Sequence, residues 1–284
     1  MRIPDWLVYT AVLAVIVAAL FILARGRDDV AALPFETARA AFAEPAEAEL
    51  APPLPGPDPF DERVLVQVGN AEDGIGTAFA INKSGAWLTA RHVVDGCAHV
   101  GLAVGDGRMV PVREIRSSRE SDLALLITDR APVQISIDLG RELRVGEAGY
   151  HVGFPQGRPG EASSRLLARS RLVTRGRYTT EEQVLAWAES DRSGGIEGTL
   201  SGMSGGPVFD KDGRVIGITL AESPRRGRIY TATPDSIGRF LEQQGLIAPG
   251  GKVHPLAAST YAREADLLRD ERAVVKVLCR VNQR

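Results

Sequence analysis

The sequence is short of the residues that build metal and redox centres. Only two cysteines and four histidines occur among 284 residues, and no histidine lies in an HExxH or CxxC setting that supplies metal ligands. We therefore expect neither a metal site nor a cofactor. An excess of one charge is also missing, because 34 Lys and Arg stand against 36 Asp and Glu. No overall field favours nucleic acid as a partner.

A long apolar run near the N-terminus is the first positive feature. Residues 6–24 carry no charge, and about 20 apolar residues in a helix span the core of a bilayer. The run favours a transmembrane helix within an anchor of residues 1–27. A cleaved signal peptide is an alternative, but its apolar region is usually about 7 to 15 residues, and Ile22 is not the small residue such sites prefer. A buried core helix is the other alternative.

The rest of the chain divides by composition. Residues 28–59 are rich in Ala, Glu and Pro, which predicts an extended linker. Residues 60–247 contain short β-type runs separated by Gly, Asp and Asn, the pattern of a barrel or sandwich. A helix is expected from Thr233-Pro234, an N-cap followed by proline, to about Gln244. Residues 248–284 form a C-terminal extension, in which we expect a helix at 259–270 and a strand at 273–279.

Ser204 is the strongest candidate for chemistry. It lies in the run SGMSGGP at 201–207, where glycines on both sides allow a tight turn that aims the amides of Gly202 and Ser204 at one point. Such a pair of donors is an oxyanion hole, which acyl transfer requires. Glycine and serine also build ordinary loops, so this alternative stays open on the run alone. His92, at the end of a strand-like run, is a weak candidate by itself.

Several stretches together resemble one family. They are GTAFAINKSGAWLTARHVV at 76–94, SDLALL at 121–126, GYHVGFPQG at 149–157, LSGMSGGPVFDKDGRVIGITLA at 200–221 and IYTATPDSIGRFL at 229–241. In this order they resemble the trypsin-fold serine peptidases, especially the bacterial HtrA (Deg) branch. The resemblance implies an all-β fold of two six-stranded antiparallel β-barrels with a C-terminal helix. It also implies a serine endopeptidase that acts on proteins or peptides.

The resemblance assigns a catalytic triad to His92, Asp122 and Ser204. In that arrangement the histidine takes the proton of the serine hydroxyl, and the aspartate fixes the histidine tautomer. Asp95 and Asp106 are competing acids. The first lies only three residues after His92, and the second lies in a hairpin signal, so Asp122 is favoured.

The resemblance also locates a specificity pocket at Gly198 and at the strand residues Leu220, Ala221 and Glu222. A glycine at position 198, where tryptic enzymes keep an acid, predicts small or medium aliphatic P1 residues. Glu222 complicates this expectation, because it is an acid close to the pocket.

Met203 departs from the family pattern. Digestive trypsin-like enzymes have an aspartate before the nucleophile, which pairs with a newly cut N-terminal amine, and a thioether cannot accept that ion pair. We expect no propeptide cleavage. The alternative reading is a catalytically weak or inactive binding or scaffold protein of the same fold.

Three further expectations concern the cysteines, the length and the location. Cys97 and Cys279 fit either two reduced buried thiols or one disulfide. Residues 246–284 are too few for the PDZ domain that often follows the peptidase in the HtrA branch. The predicted anchor and the resemblance together indicate a single-pass protein of the bacterial inner membrane, with a periplasmic catalytic domain. The sequence does not indicate an oligomeric state.

Overall fold

Strands make up most of the protein in residues 51–105, 107–248 and 250–282, which the computed structural model describes. Polar and apolar residues alternate along many of them, as in the half-buried pattern of β1, so one face of each strand turns to the core. The strands are β1 Glu62–Val68, β2 Gly74–Ala80, β3 Ala86–Ala90, β4 His99–Ala103, β5 Met109–Pro111, β6 Glu114–Ser117, β7 Leu123–Ile127, β8 Ala148–Gly153, β9 Gly160–Gly176, β10 Thr180–Arg192, β11 Pro207–Phe209, β12 Val215–Ser223, β13 Arg228–Ala232 and β14 Val274–Arg280.

The helices are few and short. They are α1 Arg91–Val94, α2 Pro234–Gln243 and α3 Tyr261–Asp270, with 3-10 turns at Pro155–Gly157 and Pro224–Arg226. The predicted helix after Thr233 is confirmed: the Thr233 hydroxyl accepts a hydrogen bond of 3.1 Å from the Ser236 amide and caps α2. The predicted helix and strand of the C-terminal extension are confirmed as α3 and β14.

The first sheet has the strand order β5-β4-β14-β2-β3-β7-β6. Its neighbours are all antiparallel. Strands β5 and β6 follow one another along the chain but lie at opposite edges of this sheet. Between them, the Val112 amide donates a hydrogen bond to the Val100 carbonyl, and the Arg113 amide donates one to the Ile127 carbonyl. The last strand of the chain, β14, lies inside this sheet, between β2 and β4. The C-terminal extension is therefore part of the domain rather than an appendage.

The second sheet has the strand order β1-β9-β10-β13-β12-β11-β8, and β8 also pairs with β9. The β8–β9 pairing closes a ring of six antiparallel strands. Strand β1 lies outside the ring and runs parallel to β9. The all-β fold with two sheets is as predicted, but each sheet contains seven named strands rather than six, and β1 breaks the purely antiparallel pattern.

The end of the predicted linker packs on the second sheet. The amide of Leu54 donates a hydrogen bond of 2.8 Å to Leu143, and the Leu54 side chain is buried in an apolar cluster with Trp187 and Met203. Residues 51–54 thus belong to the folded unit. The predicted transmembrane helix at 6–24 lies outside the described residues, and none of the helices within them is long and apolar enough to cross a membrane.

A disulfide joins Cys97 to Cys279, with Cα atoms 5.5 Å apart. Cys97 follows α1, and Cys279 lies in β14. The bond therefore connects the segment after His92 to the last strand of the first sheet.

Candidate active site

His92 and Asp122 meet because of the register of two strands. Strands β3 and β7 pair with Ala90 opposite Leu123, so the residues that follow one strand lie beside those that precede the other. Nδ1 of His92 lies 2.7 Å from Oδ2 of Asp122, and the His92 amide donates a hydrogen bond of 2.9 Å to Oδ1. Two contacts from one carboxylate fix both the backbone and the ring of His92.

The environment of this pair makes His92 more basic than an ordinary histidine. The side chain of Asp122 is 3% exposed and that of His92 is 25% exposed. Burial lowers the pKa of His92, but the charge and the hydrogen bond of Asp122 act in the opposite direction and prevail, so the pKa lies above its ordinary value of 6.5. The Asp122 carboxylate thereby stabilises an imidazolium, as a general base requires.

Tyr178 is a further contact of Asp122. It lies in the tight turn between β9 and β10, and its hydroxyl donates a hydrogen bond of 2.6 Å to Oδ1 of Asp122. The guanidinium of Arg91 covers the tyrosine ring at 3.8 Å, a cation–π arrangement. Burial, reinforced by the charge of Asp122, raises the pKa of Tyr178 well above its usual range. The phenol therefore stays protonated and remains a donor.

Glu182 approaches Asp122 from strand β10. Its Oε1 accepts a hydrogen bond of 2.5 Å from the Asp122 amide, whereas Oε2 is buried and has no hydrogen-bond partner among the described residues. Burial raises the pKa of Glu182 to about 8, although the hydrogen bond from the Asp122 amide lowers it. Burial therefore favours the protonated carboxylic acid form of Glu182 beside Asp122.

The loop that carries Ser204 is held against the first sheet by Thr77 in β2. The Thr77 amide donates a hydrogen bond of 2.8 Å to the Ser204 carbonyl, and the Thr77 hydroxyl donates one of 2.8 Å to the Gly202 carbonyl. A Cβ atom at Gly205 would lie only 2.8 Å from the amide nitrogen of Ala90, two residues before His92. The structure thus brings the Ser204 loop against the strand end that leads to His92.

The backbone beside Ser204 contains the two predicted oxyanion donors, the amides of Gly202 and Ser204. Gly202 has φ +98°, a region that favours glycine. The Ser201 carbonyl accepts a hydrogen bond of 2.6 Å from Gln156, and the carbonyl and amide of one trans peptide point in opposite directions, so the Gly202 amide points away from Gln156. In the described part of the chain, the amides of Gly202 and Ser204 donate to no protein group, whereas those of Met203 and Gly205 do.

Met203 is an apolar anchor for this loop. Its side chain is fully buried in the cluster within the second sheet, with Leu54, Leu166, Trp187 and Val208. Burying a methionine side chain contributes about 1.5 to 3 kcal/mol. The residue before Ser204 is thus held by packing, without an ion pair.

The predicted pocket residues come from two parts of the chain: Gly198 precedes the Ser204 loop, and residues 220–222 lie in strand β12 after it. Gly198 is exposed with φ +74°, Leu220 is buried, and Ala221 and Glu222 are half-buried in β12. The Glu222 carboxylate accepts from the Leu200 amide at 2.9 Å and from the Thr199 hydroxyl. The acid therefore holds the loop that precedes Ser201.

Three contacts of the site were not predicted: those of Thr77, Tyr178 and Glu182. Each comes from a strand or turn far along the chain from its partner, for example Tyr178 from Asp122 by 56 positions. No local motif marks such residues, so only the folded chain reveals them.

Comparison with known proteins points to one family. The family model described as "Trypsin-like peptidase domain" matches residues 76–218, a range that includes His92, Asp122 and Ser204. The periplasmic pH-dependent serine endoprotease DegQ of Escherichia coli is 32% identical over 194 residues, covering 65% of this chain and 40% of DegQ. A probable periplasmic DegP-like serine endoprotease of Brucella suis is 32% identical over 202 residues, covering 68% of this chain and 35% of that protein.

The fold has a counterpart among solved structures. The Rv3671c protease of M. tuberculosis in its active form superposes with a TM-score of 0.50 at 16% identity, covering 63% of this chain and 83% of that chain. At this identity the likeness concerns the fold alone. The chain spans between 30% and 40% of the length of the curated relatives named DegP-like and DegQ.

Proposed function

Because the chain belongs to the trypsin-like peptidase family, we propose that it is a serine endopeptidase that cleaves proteins or peptides through an acyl-enzyme on Ser204. The observation that carries the proposal is the 2.7 Å contact between His92 Nδ1 and the buried carboxylate of Asp122. This contact leaves Nε2 of His92 as the ring nitrogen available to a serine hydroxyl.

In the proposed reaction, Ser204 is the nucleophile, His92 transfers the proton, and two backbone amides stabilise the oxyanion. His92 takes the Ser204 proton as the hydroxyl oxygen attacks the peptide carbonyl, and the oxyanion forms where the amides of Gly202 and Ser204 converge. His92 then returns the proton to the leaving amine, and the C–N bond breaks. Water repeats the attack on the acyl-enzyme with the same base, and the acid is released.

The pocket is proposed to accept small or medium aliphatic P1 residues. Gly198 contributes no charge, and the Glu222 carboxylate is occupied by the Leu200 amide and the Thr199 hydroxyl. A basic P1 side chain would have to compete with these donors, because a carboxylate that already accepts hydrogen bonds is a weaker partner. The half-buried Ala221 supplies apolar surface beside it.

The proposed arrangement in the cell follows the predicted segments. Residues 1–27 anchor the protein in the bacterial inner membrane, and the predicted linker at 28–59 connects the anchor to the domain, with its last residues packed on the second sheet. The peptidase domain, in which the extension at 248–284 supplies β14, lies in the periplasm. Relatives named periplasmic endoproteases support this location. A topology reporter fused after Arg284 tests it, and a reporter active only in the cytoplasm would contradict it.

A fluorophosphonate probe tests the enzymatic proposal in the full-length chain. We expect covalent labelling of the wild type, loss of labelling in Ser204→Ala and His92→Ala, and cleavage of fluorescent casein that follows the same pattern. Ser84→Ala changes an exposed serine in the turn between β2 and β3 and serves as the control. Folded wild-type protein that shows no Ser204-dependent labelling would instead be a binding protein of this fold.

A further inference from the structure

The loop between β8 and β9, residues 154–159, positions one donor of the oxyanion hole. The Gln156 amide binds the Ser201 carbonyl at 2.6 Å and thereby sets the orientation of the Ser201–Gly202 peptide. If this loop moved, the peptide could rotate and turn the Gly202 amide away from the substrate. The conformation of the loop therefore decides whether the hole exists.

This loop is strained. Gln156 has φ +52° and ψ +26°, a left-handed conformation that is uncommon for a residue with a side chain, and Gly157 follows with φ +77°. Such a conformation costs about 1 to 3 kcal/mol and persists only when the surroundings hold it. The side chain of Gln156 provides part of that support by donating to the carbonyls of Glu197 and Thr199 at 2.6 and 2.9 Å.

Further support comes from Arg269, on helix α3 of the C-terminal extension. Its Nη1 donates long hydrogen bonds to the carbonyls at the two ends of the loop, 3.5 Å to Gly153 and 3.4 Å to Gly160. Its Nη2 lies 2.7 Å from the carboxylate of Glu161. The side chain of Arg269 is only 8% exposed and that of Glu161 only 5%, so this ion pair is shielded from solvent. It fixes the guanidinium between the two ends of the loop, at Gly153 and Gly160.

Strand β14 contributes a second cation from the same extension. Nζ of Lys276 donates 3.1 Å to the carbonyl of Gly157, the left-handed residue next to Gln156. Lys276 also lies opposite Thr77 in the pairing of β14 with β2. The Thr77 hydroxyl accepts a hydrogen bond of 3.1 Å from the Phe154 amide and donates one to the Gly202 carbonyl. The extension therefore contacts the loop at both ends and at its tip.

We propose that Arg269 is a positioning residue for the oxyanion hole, and that the segment of α3 and β14 holds residues 154–159 in the conformation needed for catalysis. This inference rests on the proposed endopeptidase function. Met203 cannot form the ion pair with an N-terminal amine that holds the oxyanion hole in digestive trypsin-like enzymes. Here a clamp made of Arg269 on α3 and Lys276 on β14 holds the oxyanion hole instead.

The test uses the fluorophosphonate probe on the full-length chain, because the phosphoryl oxygen of the adduct occupies the oxyanion hole. We expect Arg269→Met to lower the first-order labelling constant kinact about 10- to 100-fold, less than the roughly 100- to 1000-fold loss when an oxyanion donor is removed, because the Gly202 amide is displaced but still present. The concentration constant KI should change little. The acid limb of the pH profile should stay in place, since His92 and Asp122 are untouched. Arg269→Lys, which keeps one charge, should recover part of kinact.

The controls lie on the same two elements. Arg263→Gln on α3 and Arg280→Gln on β14 remove exposed cations whose ion pairs, within the described part of the chain, are with Glu264 and Asp73, and both should label like the wild type. A folded Arg269→Met variant with the kinact of Arg263→Gln would overturn the proposal.

Two further outcomes of the experiment are a misfolded Arg269→Met variant and a wild type that is not labelled. Should Arg269→Met fail to fold, Lys276→Met decides, because this side chain is half-buried and makes one contact with the loop. An unchanged kinact in that variant would overturn the proposal, and a reduced kinact with an unmoved acid limb would support it. If the wild type shows no Ser204-dependent labelling, the proposed function fails first, which is a separate result.

Discussion

The hydroxyl of Tyr178 donates a hydrogen bond of 2.6 Å to Oδ1 of Asp122, while Arg91 covers the ring of the same tyrosine at 3.8 Å. The tyrosine comes from the second sheet, and the aspartate comes from the first. Arg91 is itself bound to Asp95 at 3.2 Å and to the Ser118 carbonyl at 2.8 Å, so the ring has a fixed position. One side chain thus connects the two sheets at the carboxylate that orients His92.

Tyr178→Phe should lower the rate of fluorophosphonate labelling about 10-fold or more, since a hydrogen bond to a charged group contributes about 1.5 to 3 kcal/mol. The acid limb of the pH profile should also move to higher pH, because a carboxylate with one donor fewer attracts the His92 proton more strongly. Tyr230→Phe, a buried tyrosine in β13, is the control. An unmoved acid limb in Tyr178→Phe would show that the hydroxyl does not act through Asp122.

The labelling rate should rise with pH through a value above 6.5, because His92 must be neutral to act as the base and Asp122 raises its pKa. Asp122→Asn removes the charge, so the limb should move to lower pH, and the rate should fall by about 10⁴, as in the Ser-His-Asp template. Labelling between pH 5 and 9 measures both effects. His99→Gln, which changes an exposed histidine, should leave the profile unchanged.

Met203→Leu should keep both labelling and stability, with a loss below about 1.5 kcal/mol, because the volume of the apolar anchor is nearly conserved. Met203→Asp should cost more than about 3 kcal/mol, since it places an unpaired carboxylate in an apolar cluster. Urea unfolding of the two variants separates the cases. An aspartate variant as stable as the wild type would mean that a cation reaches this position.

Glu182 makes stability depend on pH in a direction unusual for a carboxylate. Its pKa is raised from 4.5 to about 8 by burial, so its favourable contribution is present below pH 4.5 and is lost as the pH rises through 8. The free energy of unfolding of wild type relative to Glu182→Gln should therefore fall between pH 5 and 8, by at most about 1.4 kcal/mol per pH unit. A pH-independent difference for Glu182→Gln would contradict the raised pKa.

Replacing both cysteines, in Cys97→Ser/Cys279→Ser, should lower the free energy of unfolding by about 3 to 5 kcal/mol in the chain-entropy account of disulfides. The closed loop is long, with 182 positions between the two residues. Peptide mapping under non-reducing conditions should recover the two cysteines in one cross-linked fragment. Recovery of both as free thiols from native material would refute the bond.

Local signals were sufficient for part of this structure. The cap and proline at Thr233 and Pro234 predict α2, because both act on the backbone within one turn. The glycines around Ser204 predict a turn with free amides, because only they reach φ values such as the +98° of Gly202. The resemblance supplied the pairing of His92 with Asp122, which spacing alone does not provide.

Non-local pairing accounts for what the sequence did not reveal. The run at 273–279 indicates a strand but not its neighbours, and it inserts between β2 and β4, which are nearly two hundred positions earlier in the chain. The run at 64–68 likewise indicates β1 without its direction, and it pairs in parallel with β9. The support for Met203 is of the same kind, since its neighbours Leu54 and Trp187 are far apart in the sequence.

The place of β14 has a consequence for the order in which the molecule is made. His92, Asp122 and Ser204 are synthesised well before residues 274–280, so an incomplete chain contains the whole proposed triad while β2 and β4 still expose open edges. Long-range strand pairing of this type forms late, because distant segments must first be brought together. By the clamp proposed for Arg269, the oxyanion hole takes its working shape only once α3 and β14 have joined the fold, so the end of the domain decides when the Ser204 loop is complete.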